Sequence, residues 1–298
     1  MSMVINHNLM ANNAARNLSN SYGALATSTR RLSSGLRITT AADDAAGLAI
    51  RELMRSDIST LNQGVRNAND AISMIQTADG ALQVIDEKLI RMKELAEQAA
   101  TGTYTSDQRL IIDSEYQAMA SEITRIASAT DFNGIYLLNG NLSSSVHNGS
   151  ALTSEGKLKV HFGTGNASAE DYYYIQIGTS TASAFGLGLG AASTSAGGRS
   201  ISTQDLAQKA LEAITSAIVS KDKIRANLGA LQNRLENTIS NLQIQAENLQ
   251  SAESQISDVD VATEMTEFVR NQILTQSAVA MLSQANSLPK MAMQLISG

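Results

Sequence analysis

Apolar residues recur at alternating spacings of three and four over much of the first hundred positions, which is the pattern of a heptad helix. The series predicts one helix from about Asp43 to Ala100. At 1.5 Å per residue, that helix is roughly 85 Å long, so it needs long partners to bury its apolar side. Its seam comprises Met54, Ile58, Leu61, Val65, Ala68, Ile72 and Ile75, then, after a break near Ala78, Leu82, Ile85, Leu89, Met92, Ala96 and Ala99.

Two further segments repeat this spacing and supply the partners. One follows a capping box from Thr105 to Gln108, whose side chains can bond free amides at a helix start. The other follows a similar signal at residues 202–205 and contains no proline. The predicted fold class is mainly α, an elongated antiparallel helical bundle. The seams are Ile112, Tyr116, Met119, Ile123 and Ile126, and Ile224, Leu228, Leu231, Leu235, Ile239, Leu242, Ala246, Leu249 and Ile256.

The middle of the chain, residues 141–200, differs from both flanks. It holds ten of the twenty glycines and sixteen serines or threonines, so the helical pattern stops there. Two short segments inside it alternate apolar and polar positions, which predicts a small β-hairpin that packs against the bundle. The apolar positions are Leu158, Val160 and Phe162, and Tyr173, Ile175 and Ile177.

Each end of the chain carries a weaker apolar stripe in a polar background. We predict paired terminal helices that form one domain, residues 1–42 with 256–298, and a helical bundle domain over 43–255 that includes the 141–200 region. Neither stripe makes a strong helix alone, so the ends either pair with each other and with copies of the chain, or fray. The N-terminal stripe begins at Ala14, and the predicted polymerisation residues are Leu18, Tyr22, Leu25 and Leu32, and Val261, Met265, Phe268, Ile273 and Val279.

Composition and charge argue against several classes of function. The net charge is −6, from 22 basic and 28 acidic residues, so no overall basic field exists to hold nucleic acid. Cysteine is absent and the three histidines are scattered, which disfavours thiolate metal sites and cysteine nucleophiles. We therefore expect no enzyme activity, no cofactor, no metal and no nucleic-acid partner.

Charge is distributed unevenly between the two ends. Residues 1–42 carry about +4 and residues 256–298 about −2. Assembly through these ends is therefore predicted to depend on salt and pH, with acid promoting disassembly. The acidic residues involved are Asp258, Asp260, Glu264 and Glu267.

Other motifs have plain structural interpretations. The N-terminal residues lack the basic start and apolar run of a Sec signal, and the uncharged stretch 271–289 is too polar to span a membrane, so no membrane contact is expected. The Gly-Leu-Gly-Leu-Gly run at 186–190 lacks the strand and helix of a phosphate-binding turn and is interpreted as a flexible connection. Asp43 and Asp44 suit the start of a helix better than acid–base catalysis.

Several segments closely resemble bacterial flagellin. Together they extend over roughly residues 1–140 and 200–298 in the order found in that family. The matching segments are RLSSGLRI at 31–38, DDAAGLAI at 43–50, RNAND at 66–70 and FNG at 132–134, then LGALQNRL at 228–235, ATE at 262–264, QIL at 272–274 and SQAN at 283–286.

The resemblance implies a structural subunit that polymerises under a cap into an extracellular flagellar filament for swimming motility. It implies export through the flagellar type III apparatus, with an export chaperone, the cap and the hook–filament junction proteins as partners besides the chain itself. It also implies an inner domain of paired termini and an outer-tube domain, as in a minimal flagellin. A hook–filament junction protein is the alternative within the superfamily. An adhesin or secreted enzyme on this scaffold is the alternative from another class, but the middle is short for one.

The resemblance extends to the surface that Toll-like receptor 5 recognises in many flagellins. That surface corresponds here to Arg91 and Leu95 on the first long helix and Glu115 on the next, with Lys93 where many relatives have a second arginine. Spacing of four residues would place Arg91 and Leu95 on one helix face. The alternative is that Arg91 and Glu115 form an exposed ion pair while Leu95 covers a polymer contact.

Overall fold

A computed structural model describes residues 8–148, 155–168, 170–188 and 197–297. These residues form α1 (Leu9–Ser34), α2 (Ala45–Ala100), α3 (Ser106–Ala129), α4 (Gln204–Ser257) and α5 (Val261–Ser297). The strands are β1 (Asp131–Phe132), β2 (Ile135–Tyr136), β3 (His147–Asn148), β4 (Glu155–Gly156), β5 (Leu158–His161) and β6 (Tyr172–Ile175), paired antiparallel in sequence order. The predicted mainly α fold with a small hairpin is confirmed.

Helix starts follow the capping signals in the sequence. Thr105 accepts a hydrogen bond from the Gln108 amide and donates its own amide to the Gln108 side chain, which confirms the predicted capping box. The Thr203 hydroxyl accepts from the amide of Leu206 at the start of α4. At the start of α2, the Asp44 carboxylate accepts from the Gly47 amide at 2.9 Å. Helix α2 therefore begins at Ala45, two residues after the predicted start at about Asp43.

The chain divides into two compact units. One consists of Met1–Ile58 with Glu247–Gly298, and the other is Ser59–Ala246. Each unit contains part of α2 and part of α4. The predicted functional boundaries, 42/43 and 255/256, remain a prediction, because a division by contacts within one chain does not test what each part does.

The second unit, Ser59–Ala246, is built around an apolar core that α2, α3 and α4 share. Ion pairs, and a hydrogen bond from Arg109 to the Ala99 carbonyl, join α2 residues in ascending order to α3 and α4 residues in descending order, so both partners run antiparallel to α2. Ala78, where the heptad series is interrupted, lies inside the continuous helix and is fully buried. Among the predicted seam residues, the fully or almost fully buried ones are Ala68, Ile75, Leu82, Ile85, Leu89, Met92, Ala96, Ala99, Tyr116, Ile123, Leu228 and Leu235.

Two charged contacts connect α2 and α4 within this unit. The Lys221 side chain is 2% exposed and lies between Asp86 and Asp222. Arg225 Nε donates to Asp79 Oδ1 at 2.7 Å, and this hydrogen bond holds the pKa of the Asp79 carboxyl below its ordinary value. Because an unpaired buried charge is costly, these contacts favour one axial register of the two helices.

The predicted hairpin is formed by β5 and β6, with Val160 opposite Tyr173. Its inner face packs on α2, where Asn67 Nδ2 donates to the His161 carbonyl at 2.8 Å. Gly64 lies at the closest approach: a Cβ there would be 2.0 Å from the Phe162 carbonyl oxygen, so only glycine fits.

The glycine-rich segment after the hairpin is partly packed, which corrects the flexible connection predicted for 186–190. Leu187 is fully buried, and the Gly188 amide donates to the Gly198 carbonyl at 2.8 Å. Gly186 and Gly188 have φ of +72° and +60°, a conformation that glycine adopts at little cost. These two glycines turn the chain sharply on either side of a core leucine, while residues 189–190 lie outside the described ranges.

Candidate assembly surfaces

The terminal helices α1 and α5 pair with each other inside the first unit, Met1–Ile58 with Glu247–Gly298. Asn8 caps α1 by accepting from the Ala11 amide, and its Nδ2 donates to the Ala285 carbonyl at 2.8 Å. Asp260 caps α5 by accepting from the amides of Ala262 and Thr263. The caps supply acceptors for amides that the helices leave free, so sequence signals define both starts.

The pair is antiparallel, and its register is fixed near the end of α1. Gly35 ends α1 with φ of +72°, and its carbonyl accepts from the Val259 amide at 3.0 Å. The Arg37 amide donates to the Ser257 carbonyl at 2.6 Å. Farther along, Arg31 Nη1 lies 3.5 Å from Glu264 Oε2. These contacts join residues that are far apart in the sequence, and they hold α1 and α5 in a single register.

The seam between α1 and α5 is made largely of small and polar residues. Ser28, Glu264, Thr275 and Ala285 are its most buried members, each less than 10% exposed. The spacings of three and four match a heptad on both helices. The seam comprises Ala11, Ala14, Leu18, Ser21, Leu25, Ser28 and Leu32 on α1, and Glu264, Phe268, Asn271, Thr275, Ala278, Leu282 and Ala285 on α5.

Only some of the predicted polymerisation residues lie in this seam. Leu18, Leu25, Leu32 and Phe268 are half-buried there, whereas Tyr22 is 54% exposed. On α5 the predicted stripe faces away from α1: Val261, Met265, Ile273 and Val279 are 45–57% exposed. The pairing face of α5 was not predicted because apolar residues occur all around that helix, and because Glu264, Asn271 and Thr275 make part of that face polar. The heptad spacing from Glu264 to Ala285 was the available signal.

The outward residues of α5 form a continuous apolar ridge, which we call the α5 ridge and define as Val261, Met265, Val269 and Ile273. Successive members are four residues apart, so they are neighbours on the helix surface. All four are 45–57% exposed. Contiguous exposed apolar surface of this kind marks an interaction site in a soluble protein.

A tight polar turn lies between α1 and α2 in the same unit. The Asp43 carboxylate accepts from the amides and hydroxyls of both Thr39 and Thr40, and it lies 3.3 Å from Arg30 Nη2. The hydrogen bonds from Thr40 hold the pKa of Asp43 far below its ordinary value. Ile38, beside this turn, is 1% exposed. The structure thus supports a local structural role for Asp43, as the sequence suggested.

The predicted receptor residues are brought together only in part. Arg91 donates to Glu115 Oε1 from Nε at 3.0 Å and from Nη2 at 2.8 Å, and its Nη1 donates to Glu94 at 3.0 Å. These bonds raise the pKa of the Arg91 guanidinium above its ordinary value. Arg91 and Glu115 are both exposed, but Leu95 is 1% exposed and belongs to the core. Leu95 therefore does not share the surface of Arg91, contrary to the expectation from its spacing.

No cluster of three or more potential metal ligands occurs in the part of the chain that the structure describes. Within the same ranges, no helix combines the length and apolar character that crossing a membrane requires.

The fold, the paired chain ends and the exposed ridge define a helical structural protein whose termini form one unit. Residues 5–143 match the family described as the bacterial flagellin N-terminal helical region, and residues 211–296 match the bacterial flagellin C-terminal helical region. The chain belongs to the bacterial flagellin family. Flagellins are the subunits of the flagellar filament, so the chain is a structural protein of bacterial motility.

Full-length relatives agree with this assignment. The chain is 41% identical over 297 residues to flagellin FlaB2 of Treponema pallidum, covering 99% of this chain and 100% of that protein. It is 40% identical over 308 residues to the flagellin of Bacillus subtilis, with the same coverage. A putative flagellar hook-associated protein from Vibrio parahaemolyticus has a TM-score of 0.54 at 15% identity, over 72% of this chain and 100% of that chain. The latter likeness shows the fold alone.

Proposed function

We propose that the chain polymerises into the extracellular flagellar filament through its terminal helix pair, with the α5 ridge as a contact between subunits. The observation that carries this proposal is the exposure of four successive apolar side chains, 45–57% each, on a helix whose inner seam consists largely of small and polar residues. A neighbouring subunit that covers the ridge removes this apolar area from water, at roughly 25 cal/mol per Å².

The weakness of the α1–α5 seam supports the same proposal. A protein helix such as α1 gains most of its stability from tertiary packing of its apolar side, and small polar seam residues bury little apolar area. Contacts with neighbouring copies would then supply stabilisation that the isolated pair lacks. Because the contact is repeated in every subunit, modest contributions from each copy produce a stable polymer.

The ridge is tested by the triple change Val261→Ser, Val269→Ser and Ile273→Ser. We expect the monomer to keep its helical core, while the concentration required for polymerisation rises at least about tenfold through lost apolar burial. Sedimentation and electron microscopy measure assembly, and circular dichroism checks the fold. Val84→Ser with Val219→Ser is the matched control, because both valines are exposed, 42% and 48%, and lie outside the terminal helices. Normal assembly of the ridge variant would overturn the proposal.

The role of the N-terminal segment is tested separately by deletion of residues 1–42. This removes α1 and leaves α2, α3, the hairpin and α4 intact. We expect a folded monomer that forms no filaments. Filaments of normal stability from this shortened chain would show that the terminal pair is dispensable.

We also propose that the chain leaves the cell through the flagellar type III apparatus, with an export chaperone, the filament cap and the hook–filament junction proteins as partners. Membership of the flagellin family supports this, and a weakly stabilised terminal pair suits a chain that must unfold for passage. The test compares culture supernatants from bacteria with and without a functional flagellar export apparatus. Export that persists without the apparatus would contradict the proposal.

We propose, finally, that Toll-like receptor 5 binds the monomer at a surface that contains Arg91 and Glu115. The two side chains are exposed and held together by two hydrogen bonds, and arginine is enriched at binding hot spots. Leu95 would support this surface from the core instead of contacting the receptor. Subunit packing would cover the same face, so filaments would signal less than monomers.

A receptor reporter assay with monomeric Arg91→Ala and Glu115→Ala tests this surface. We expect at least about a tenfold loss of potency in each, as for truncation of a hot-spot residue. Arg125→Ala is the matched control, since Arg125 forms a similar exposed pair with Glu122 on α3. Leu95→Ala is measured together with its thermal stability, because its effect would come through the core. Full receptor activation by both surface variants would show that the receptor does not bind at Arg91 and Glu115.

A further inference from the structure

The outward face of the β5–β6 hairpin concentrates aromatic and basic side chains. Cross-strand pairing places Lys159 opposite Tyr174 and His161 opposite Tyr172. Because side chains alternate along a strand, these four lie on the face opposite to buried Val160. We define the hairpin platform as these four residues together with His147 of β3.

The rings of the platform form a continuous row. The ring centroids of His161 and Tyr172 are 6.0 Å apart, those of Tyr172 and Tyr174 are 5.4 Å apart, and those of Tyr174 and His147 are 5.5 Å apart. The Lys159 ammonium lies 3.7 Å from the centroid of Tyr172. Each side chain is thus held by its neighbours, which lowers the entropy lost when a ligand binds.

The charge of the platform is not neutralised by an ion pair within the described residues. Besides its contact with Tyr172, Lys159 donates to Asn166 Oδ1 at 3.4 Å, and it has no further partner among the residues that the structure describes. The nearby Asp171 carboxylate accepts from the amides of Ala167 and Gly165, and these bonds, with a smaller contribution from the platform residue His161, hold its pKa below the ordinary value. Asp171 is therefore engaged mainly by the loop, and Lys159 gives the platform its positive charge on a protein of net charge −6.

We propose that the hairpin platform binds an acidic polysaccharide, whose carboxylate or sulfate groups pair with Lys159 and whose hydroxyls bond to tyrosine and histidine. Charge complementarity favours an anionic ligand. A nucleobase would need an open ring face for stacking, but the central ring, Tyr172, already has Lys159 over it and His161 stacked beside it. Tyrosine hydroxyls and imidazole nitrogens can donate and accept, which suits a sugar.

Binding at this site does not require filament formation, so it is tested on the full-length monomer. Binding is measured by biolayer interferometry to immobilised alginate, which is carboxylated, to dextran sulfate, to neutral dextran and to single-stranded DNA. Alginate and dextran sulfate distinguish a carboxylate from a sulfate ligand. We expect binding to at least one of these two, weaker binding to DNA, and none to neutral dextran.

Lys159→Gln and Tyr174→Ser should each weaken binding by about tenfold, the size expected for loss of a charged or aromatic contact. Lys223→Gln is the charge-matched control and Tyr136→Ser the aromatic control, since both residues are exposed and lie outside the platform. Both should bind within about twofold of the native chain. Circular dichroism and thermal unfolding confirm that the variants keep the hairpin.

Three results would overturn the proposal. The first would be that the native chain binds neither acidic polysaccharide. The second would be that the platform variants bind as tightly as their controls. The third would be that single-stranded DNA binds as tightly as the polysaccharides. The last result would show attraction to any polyanion and not recognition of a sugar.

Discussion

Two regions of this flagellin use the same heptad spacing with different residues. In the second unit the seam positions of α2 are leucine, isoleucine, valine, methionine and alanine, and those from Leu82 to Ala99 are fully buried. In the terminal pair the corresponding positions are mostly alanine, serine, threonine and asparagine, and most are only half-buried. Spacing alone therefore determines that helices pair, whereas the volume and polarity of the seam residues determine how strongly.

The apolar residues of the terminal pair are distributed in the opposite way from those of the core. Leu89 and Ile85 of α2 lie inside, while Val261, Met265 and Ile273 of α5 lie outside. A protein that folds alone places its large apolar side chains inward. The reversed arrangement in α5 is typical of a segment whose stability depends on partners.

The largest expected effect comes from placing the same substitution in both regions. Leu89→Ala should lower the free energy of unfolding by about 2–5 kcal/mol, because it leaves a cavity at a fully buried site. Leu18→Ala, at a half-buried seam position, should cost at most about 1 kcal/mol. Chemical denaturation measures the first, and hydrogen exchange along α1 measures the second.

Ile90→Ala is the control on α2, since Ile90 is 49% exposed and should cost less than about 0.5 kcal/mol. Equal losses from Leu18→Ala and Leu89→Ala would show that the two seams do not differ in strength.

A smaller effect is expected at the charged contact between α2 and α4. The pKa of Asp79 is lowered, so its pair with Arg225 contributes stability above the unfolded-state pKa and loses it as the pH falls below about 4. Asp79→Asn should therefore lower the free energy of unfolding by about 1 kcal/mol at pH 7, because the pair is partly solvent-screened. Urea unfolding at pH 7 and near pH 3 checks this.

The difference between native and Asp79→Asn should become smaller at the lower pH, because protonation of the carboxyl begins to remove the pair. Asp70→Asn, at an exposed aspartate of the same helix, is the control and should have no effect at either pH. A difference that persisted unchanged in acid would exclude the carboxylate as its source.

At the terminal pair, Asp260→Ala should speed hydrogen exchange at the start of α5 by roughly fivefold, because the cap for Ala262 and Thr263 is lost. Asp260→Asn keeps a capping oxygen and should exchange like the native chain. The bonds from Thr263 lower the pKa of Asp260, so the cap persists to below about pH 4. Fast exchange in the native chain already at pH 5.5 would contradict this.

The lowered pKa of Asp260 limits the part that this residue can play in the predicted disassembly by acid. Because the pKa of Asp260 is lowered, this residue would not titrate between mildly acidic and neutral pH. Any disassembly observed in that range must then involve other groups.

The smallest expected effect is a gain in the stability of α5. Thr275→Val replaces a buried hydroxyl, which bonds only the Asn271 carbonyl of its own helix, with a methyl group in the α1–α5 seam. We expect α5 to be stabilised by up to about 0.5 kcal/mol, visible as slower hydrogen exchange. Thr266→Val is the control, because Thr266 makes the same type of bond at an exposed position. A destabilised Thr275→Val would mean that the polar seam is already optimal.

The sequence contained most of the fold. Heptad spacing located α2, α3 and α4, the capping box at Thr105 marked a helix start within one residue, and alternation located β5 and β6. These signals are local, since they depend on residues within a few turns of one another. The short strands β1 to β4 carry no such signal, because two-residue strands are too brief for a period to appear.

The candidate surfaces needed the tertiary structure. Arg91 and Leu95 share a nominal helix face, yet Leu95 is buried, because packing of α3 and α4 on α2 widens the buried stripe beyond the seam residues Met92 and Ala96 to include Leu95. Likewise, the aromatic row of the hairpin platform joins residues from β3, β5 and β6, which sequence spacing does not bring together.

The sequence by itself determined the family, the helical fold class and the positions of the chain-end stripes. Tertiary structure alone decided which side of α5 pairs with α1. Apolar residues surround that helix, so its periodicity favours no single face. The choice depends on the geometry of close approach: small side chains such as Ala278 and Ala285 let the two backbones come near, and the larger side chains of the α5 ridge are left outside.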